Sequence, residues 1–247
     1  MSGQLVSRIG AYDNACEFPA AVPTFAHYLN AAGYQTCLSG KVHFVGPDQK
    51  HGFTDRVTTD IYLSDFAGTP NWSKPMERMD KWYHNMSKVQ ESGMTMASYQ
   101  IDYDDEVDYA ANRWLMNRAR DKAVGNGQPF CLVASFIHPH DLYVARPEWW
   151  DLYDDAEIDM PVTRMDPDEH DPFARRELDG IEASETELTD DEIRAARRAY
   201  YANVSYFDSK IGALVKTLKK TDALDNTIII VTADHGDMLG ERNLWTK

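Results

Sequence analysis

The stretch Thr227-Ile228-Ile229-Ile230-Val231-Thr232-Ala233-Asp234-His235-Gly236-Asp237 carries the strongest fold signal in this sequence. Its β-branched run, bounded by polar residues, predicts a strand buried on both faces, and such strands occur mainly in parallel sheets covered by helices. In open α/β sheets, ligands collect outside the carboxyl ends of the strands. Asp234 and His235 stand at that end, so they are the first candidate ligands.

The rest of the chain alternates helix and strand signals. Apolar residues recur at helical spacing in three segments: 23–32, 105–123 and 189–218. The face predicted for the third helix comprises Tyr200, Tyr201, Val204, Phe207, Ile211 and Leu214. Further strands are predicted at 130–137 and through 34–39 into the polar end of 40–44, whereas 46–98 and 148–190 are aperiodic and predict loops. This order favours right-handed crossovers and a mainly parallel α/β sheet.

Composition excludes several classes of function. The formal net charge of -15 argues against general binding to nucleic acid or to an anionic membrane, because phosphates would be repelled. The sequence holds no apolar run of membrane-spanning length and does not begin like a signal peptide, which predicts a cytoplasmic protein without a membrane partner. Cys16, Cys37 and Cys131 are widely spaced, which predicts buried free thiols rather than a disulfide framework or zinc cluster.

Polar side chains that bind metals or transfer protons follow three of the predicted strands. These are Lys41 with His43, His138 with His140, and Asp234 with His235 and Asp237. The carboxyl ends of parallel strands lie on one edge, so the three groups are expected to converge on one site. Lys41 and His43 would face the same side in extended backbone.

A cation and an imidazole beside an acidic metal site suit an anionic tetrahedral substrate, because its oxygens need positive charge and its leaving oxygen needs a proton. Two blander interpretations stay open. His138 alone is more often a structural hydrogen-bonding residue than a ligand, and Asp237 can equally cap the turn that follows it.

Two stretches of this chain resemble signatures of the sulfatase family. They are Gly33-Tyr34-Gln35-Thr36-Cys37-Leu38-Ser39-Gly40-Lys41-Val42-His43 and Thr232-Ala233-Asp234-His235-Gly236-Asp237-Met238-Leu239-Gly240-Glu241. Further motifs are similar to the choline-sulfatase branch: Tyr12-Asp13-Asn14-Ala15, Thr58-Thr59-Asp60-Ile61-Tyr62, Trp82-Tyr83-His84-Asn85-Met86-Ser87 and His138-Pro139-His140-Asp141. Together the motifs cover nearly the whole chain.

The resemblance implies an alkaline-phosphatase-like α/β fold, one divalent cation, with Ca²⁺ favoured over Mg²⁺ or Mn²⁺, and hydrolysis of a small sulfate ester such as choline sulfate. It implies a formylglycine nucleophile and a homo-oligomeric parent protein. The implied roles are metal ligation by Asp234 and His235, sulfate binding by Lys41, expulsion of sulfate by the base His43, charge neutralisation and protonation of the leaving alcohol by His140 and Lys247, and contact with the organic group by Asn14 and His84.

The sequence also departs from the family pattern. It lacks the C-x-P-S-R motif that yields the formylglycine, so we expect residues 1–247 to be a partial catalytic domain, without a C-terminal subdomain and inactive by itself. Gly68 stands where the choline-sulfatase branch is expected to carry a tryptophan, which weakens a cation pocket. A phosphonate or phosphate monoester hydrolase, or a non-catalytic anion-binding protein, remains an alternative.

Overall fold

The protein is an α/β structure with short strands and two long helices. The computed structural model describes residues 1–62, 64–66, 71, 73–74, 85–153 and 158–246. Its helices are α1 (Phe25–Ala31), α2 (Ser87–Gln90), α3 (Tyr99–Ala123), α4 (Pro147–Trp150), α5 (Pro172–Gly180) and α6 (Asp190–Lys220). Its strands are β1 (Gln35–Gly40), β2 (Asp55–Arg56), β3 (Gly93–Met94), β4 (Phe130–Ser135) and β5 (Val144–Ala145).

The described chain divides into two compact units. Unit 1 comprises Met1–Lys81, Gln100–Ile137 and Lys210–Thr227, and unit 2 comprises Trp82–Tyr99, His138–Ser209 and Ile228–Lys247. Among the described residues, no helix combines the length and the hydropathy that crossing a bilayer requires.

Every strand pair in the described structure is parallel, which confirms the predicted sheet type. In unit 1 the order is β2-β1-β4, with β1 paired along its whole length from Gln35 opposite Phe130 to Gly40 opposite Ser135. In unit 2, β3 pairs with β5.

Helices cover both faces of the sheet in unit 1, because successive side chains of β1 point to opposite faces. Leu38 packs in a buried cluster with Ala26 of α1. Cys37 packs on the other face with Trp114 of α3 and Leu218 of α6. Burial raises the pKa of the Cys37 thiol, whereas Cys16 and Cys131 are only half-buried; all three are free.

The predicted strand at 227–231 is wrong. None of the described segments pairs with it, and Ile228 and Ile230 are 89% and 80% exposed. A β-branched run becomes a strand only where a neighbouring backbone supplies a hydrogen-bond ladder, so propensity alone does not form one.

The first two predicted helices are present with shifted ends. The chain leaves α1 through Gly33, whose φ of +84° allows the Tyr34 amide to donate to the Leu29 carbonyl. Helix α3 begins at Tyr99, six residues before the predicted start at Asp105, because Ile101 and Tyr103 extend its buried face through an acidic stretch.

Helix α6 is also present, but its buried face differs from the predicted one. Thr189 and Glu192 form the reciprocal cap at its start. Apart from Leu218, the buried side chains are alanines or carry a polar group, and Val204 of the predicted face is exposed. The buried set includes Ala196, Arg197, Ala199, Ala202, Asn203 and Tyr206. Alanines permit close packing, so the larger residues lie at the margin of the face.

The sequence predicts a loop over 148–190, but the structure contains helix α5 within this stretch. The Asp171 carboxylate accepts from the amides of Phe173 and Ala174 and so caps its start, and Pro172 occupies the first turn. Leu178 and Ile181 are buried with Ala174 at helical spacing, a short pattern that the surrounding acidic residues obscure.

Candidate active site

The carboxyl ends of the parallel strands β1 and β4 lie at the same edge of the sheet in unit 1. The Lys41 amide donates to the Ser135 carbonyl at 3.0 Å. Gly40 makes this approach possible, because a Cβ there would lie 1.9 Å from the Ser135 carbonyl oxygen and its φ is +113°. The prediction that polar residues follow converging strand ends is thus confirmed for Lys41.

Lys41 and His43 meet on the ring of Tyr62. The His43 imidazole stacks on this ring with centroids 4.5 Å apart, and Lys41 Nζ lies 5.4 Å from the same centroid. The expected extended backbone is wrong, since φ of His43 is +59° and the residue lies in a turn. The two side chains are therefore brought together through Tyr62 rather than by alternation along a strand.

In unit 2, Asp141 fixes the ring of His140. His140 Nδ1 lies 2.7 Å from the Asp141 carbonyl oxygen and 2.7 Å from its Oδ1, and the side chains are 6% and 3% exposed. A carbonyl oxygen only accepts, so Nδ1 carries the proton, and Nε2 of the neutral ring is the basic nitrogen. The His140 ring lies 6.0 Å from that of His235.

Asp234 and His235 are adjacent and more exposed. The Gly236 carbonyl accepts from His235 Nδ1 at 2.8 Å, and His235 Nε2 faces Asp234 Oδ2 at 3.6 Å. The pair offers one nitrogen and one carboxylate to a cation. In the part of the chain that the structure describes, no group of three or more His, Cys, Asp or Glu side chains is arranged to hold a metal. Calcium takes six to eight oxygens, so these residues do not by themselves fit it.

Asp237 caps a turn, as one interpretation of the sequence held. Its Oδ1 accepts from the Leu239 amide at 2.9 Å, and its Oδ2 accepts from the hydroxyl of the fully buried Tyr143 at 2.6 Å. Burial raises the pKa of Asp237, which the Tyr143 hydrogen bond partly opposes. Tyr143 also accepts from the Thr246 amide at 3.1 Å, so it links three segments of unit 2.

The structure also describes His138 and Asn14, two further residues predicted from the sequence. His138 is buried and packs edge-on against Tyr206, which fits a structural role. Asn14 is exposed in the turn over 13–16 of unit 1. His84, Lys247 and Gly68 lie outside the described residues, so their assignments stay predictions, as does the convergence of the three strand-end groups.

Sequence reasoning gave no structural role to Asp60, Tyr62, Asp141 or Tyr143. Asp141 follows His140 directly, and Asp60 and Tyr62 stand two residues apart in a loop. A carboxylate beside a candidate histidine is a usable signal. No local sequence pattern predicts the contact between Tyr62 and Lys41, because this contact depends on the tertiary fold.

Comparison with known proteins identifies the family. The sulfatase family model matches residues 1–247, and the chain therefore belongs to the sulfatase family. Choline-sulfatase of Rhizobium meliloti (strain 1021) is 50% identical over 100% of this chain and 48% of that protein. Arylsulfatase of Clostridium perfringens (strain 13 / Type A) is 27% identical over 91% of this chain and 48% of that protein.

Solved structures confirm the alkaline-phosphatase/sulfatase-like fold. Phosphonate monoester hydrolase from Silicibacter pomeroyi superposes with a TM-score of 0.66 at 22% identity, over 99% of this chain and 53% of that one. This likeness bears on the fold alone. The chain spans about half the length of the curated relatives named above, 48% in each case.

Proposed function

We propose that the protein carrying this chain hydrolyses choline sulfate, or a similar small sulfate ester, to an alcohol and sulfate. Water supplies the oxygen that sulfur gains and the proton that the leaving alkoxide gains as the ester S–O bond breaks. The 50% identity to choline-sulfatase along the whole chain carries this proposal. The group of Lys41 and His43 on Tyr62 supports it, because cationic and imidazole side chains at a strand end suit a sulfate.

Lys41 is the residue proposed to hold the sulfate oxygens. Its ammonium lies over the face of Tyr62 in a half-buried site, where a positive charge acts on an anion more strongly than in bulk water. His43, stacked on the same ring, is within reach of the same region and is proposed to move the proton that accompanies sulfate release.

His140 is proposed to protonate the leaving alcohol. Asp141 holds Nδ1, so Nε2 is the nitrogen that can carry a proton to an oxygen. A protonated ring also adds positive charge as the ester bond breaks. A carboxylate that orients a histidine and stabilises its charged form is a recurrent arrangement in catalysis.

The proposed cofactors are a divalent cation and a formylglycine. In a sulfatase, a divalent cation, proposed as Ca²⁺, would polarise the sulfate and a formylglycine would supply the attacking oxygen. Asp234 and His235 are the residues proposed to contribute to such a cation site. Two side chains do not complete such a site, because Ca²⁺ takes six to eight oxygen ligands.

The role of Lys41 predicts a large loss of activity on its removal. Sulfate released from choline sulfate by the protein that carries this chain is measured by ion chromatography for wild type, Lys41→Ala and Lys220→Ala. Lys220 is an exposed lysine at the end of α6. Lys41→Ala is expected to lower kcat by about 100-fold, the scale reported for losing one group that stabilises developing negative charge. Lys220→Ala is expected to match wild type. Equal rates for both variants would contradict the assignment.

A further inference from the structure

The segment Thr58–Tyr62, here named the clamp segment, contacts the turn that carries Lys41 and His43. Thr58 Oγ1 accepts from the Gly40 amide at 2.7 Å. Asp60 Oδ2 accepts from the amides of Val42 at 3.0 Å and His43 at 2.9 Å. The clamp segment thus satisfies the backbone donors of the turn that leaves β1.

Asp60 is itself rigidly held. Its side chain is 2% exposed and pairs with the 8% exposed Arg56 at 3.1 Å. Arg56 also donates to the carbonyl and the side-chain oxygen of Gln49, at 2.7 and 2.6 Å. A buried carboxylate with several donors is fixed in one orientation, because rotating it would leave charges and amides unpaired.

The far end of the clamp segment holds the side chains of the same turn. Asp60 Oδ1 accepts from the Tyr62 amide at 3.2 Å, and the Tyr62 ring stacks on His43 and lies beneath the Lys41 ammonium. The Tyr103 hydroxyl of α3 donates to the Thr59 carbonyl at 2.9 Å, which ties the segment to the scaffold of unit 1.

We propose that Asp60 and Tyr62 are positioning residues for Lys41 and His43, with Asp60 fixing the backbone of the turn and Tyr62 fixing the two side chains against one another. This inference rests on the proposed function, in which Lys41 and His43 are presented to a sulfate. His43 has a left-handed backbone conformation that non-glycine residues adopt only when their surroundings impose it. The hydrogen bonds that the Val42 and His43 amides donate to Asp60 Oδ2 stabilise this conformation.

The test uses the protein that carries this chain, inorganic sulfate as the probe, and NMR of ¹³C/¹⁵N-labelled histidine rings, with the His43 signal assigned from His43→Gln. Asp60→Asn removes the charge, and one amide oxygen cannot replace both carboxylate oxygens. Its matched control is Asp225→Asn at an exposed aspartate of the same unit. Tyr62→Leu removes the ring, and Tyr62→Phe keeps it.

Asp60→Asn and Tyr62→Leu are expected to move the His43 ring signal and to weaken sulfate binding by about 10- to 100-fold, since small misplacements of binding groups cost rates and affinities of this order. Asp225→Asn and Tyr62→Phe are expected to retain the wild-type signal and affinity. Tyr62→Leu tests the idea independently if Asp60→Asn fails to fold.

An unmoved His43 signal in folded Asp60→Asn and Tyr62→Leu would overturn the positioning role, and so would unchanged sulfate affinity. A wild-type protein that shows no response to sulfate would count against the proposed function. The His43 signal would still decide whether Asp60 and Tyr62 position the turn, so the two failures are distinguishable.

Discussion

At the scale of single residues, polar side chains in unit 2 act through buried neighbours. Tyr143 has no exposed surface, and its hydroxyl serves both the Asp237 carboxylate and the Thr246 amide. Leaving a buried polar group without its partner costs more than the net value of one hydrogen bond. The Tyr143 hydroxyl is therefore expected to matter for stability.

Tyr143→Phe is expected to lower the free energy of unfolding by about 1–3 kcal/mol, because two partners in the interior lose a hydrogen bond. Urea denaturation followed by tryptophan fluorescence measures the change. Tyr109→Phe removes a hydroxyl from a tyrosine that is 66% exposed and is expected to be nearly neutral. The explanation would be wrong if the two variants had the same midpoint.

The role of a residue was predictable where its neighbours in the sequence determine it, and not where tertiary contacts determine it. Lys41 was predictable because it follows a strand and carries a charge, and the structure places it at the exit of β1. Tyr62 was not predictable as its partner, because twenty residues and a strand separate them. Asp237 had two interpretations, and only its bonds to Leu239 and Tyr143 show which contacts it makes.

At the scale of elements, the close approach of β1 and β4 depends on one glycine. Gly40 combines a φ of +113° with a position where a Cβ would lie 1.9 Å from the Ser135 carbonyl oxygen. The turn that carries Lys41 and His43 begins directly after it. Any side chain at this position has to push the two strand ends apart.

Gly40→Ala is expected to be more destabilising than Gly125→Ala. The Gly125 variant measures the cost of a positive φ alone, without a steric collision. Gly125 has a φ of +83° with no atom within 4 Å of an added Cβ, so its substitution costs about 1–2 kcal/mol from conformation alone. Collision in the packed interior adds roughly 1–3 kcal/mol for Gly40→Ala. Equal urea midpoints for the two variants would show that the strand ends separate at no cost.

Element prediction succeeded where periodicity and caps agreed and failed where only one was informative. Helix α6 has both a reciprocal cap and a long pattern, and its start was predicted within one residue. Its buried face was not, because the alanines that pack most closely carry little hydrophobic signal. Helix α5 was missed since its two buried residues, Ala174 and Leu178, stand among charges.

At the scale of the whole molecule, Ile228–Val231 is an apolar run that the described part of the fold leaves exposed. Its four residues are 89%, 45%, 80% and 59% exposed. Segments of high β-propensity without charge or proline are typical sites of intermolecular strand pairing. The net charge of -15 opposes association but does not cover this run.

Ile230→Lys is therefore expected to slow aggregation several-fold while leaving the unfolding midpoint unchanged, because Ile230 is 80% exposed and its substitution removes no packing. Light scattering over time measures the rate. Val162→Lys, at an isolated valine that is 88% exposed, is the matched control and is expected to have little effect. Equal slowing by both variants would indicate a general charge effect instead.

The central claim is sulfate-ester hydrolysis by the protein that carries this chain, and the most direct test compares initial rates on choline sulfate and on a phosphonate monoester. We expect kcat/KM for choline sulfate to exceed the phosphonate value and to fall with Lys41→Ala. A higher kcat/KM for the phosphonate would favour the alternative hydrolase. Activity on neither ester, with sulfate still bound at Lys41 and His43, would leave an anion-binding protein and contradict the claim.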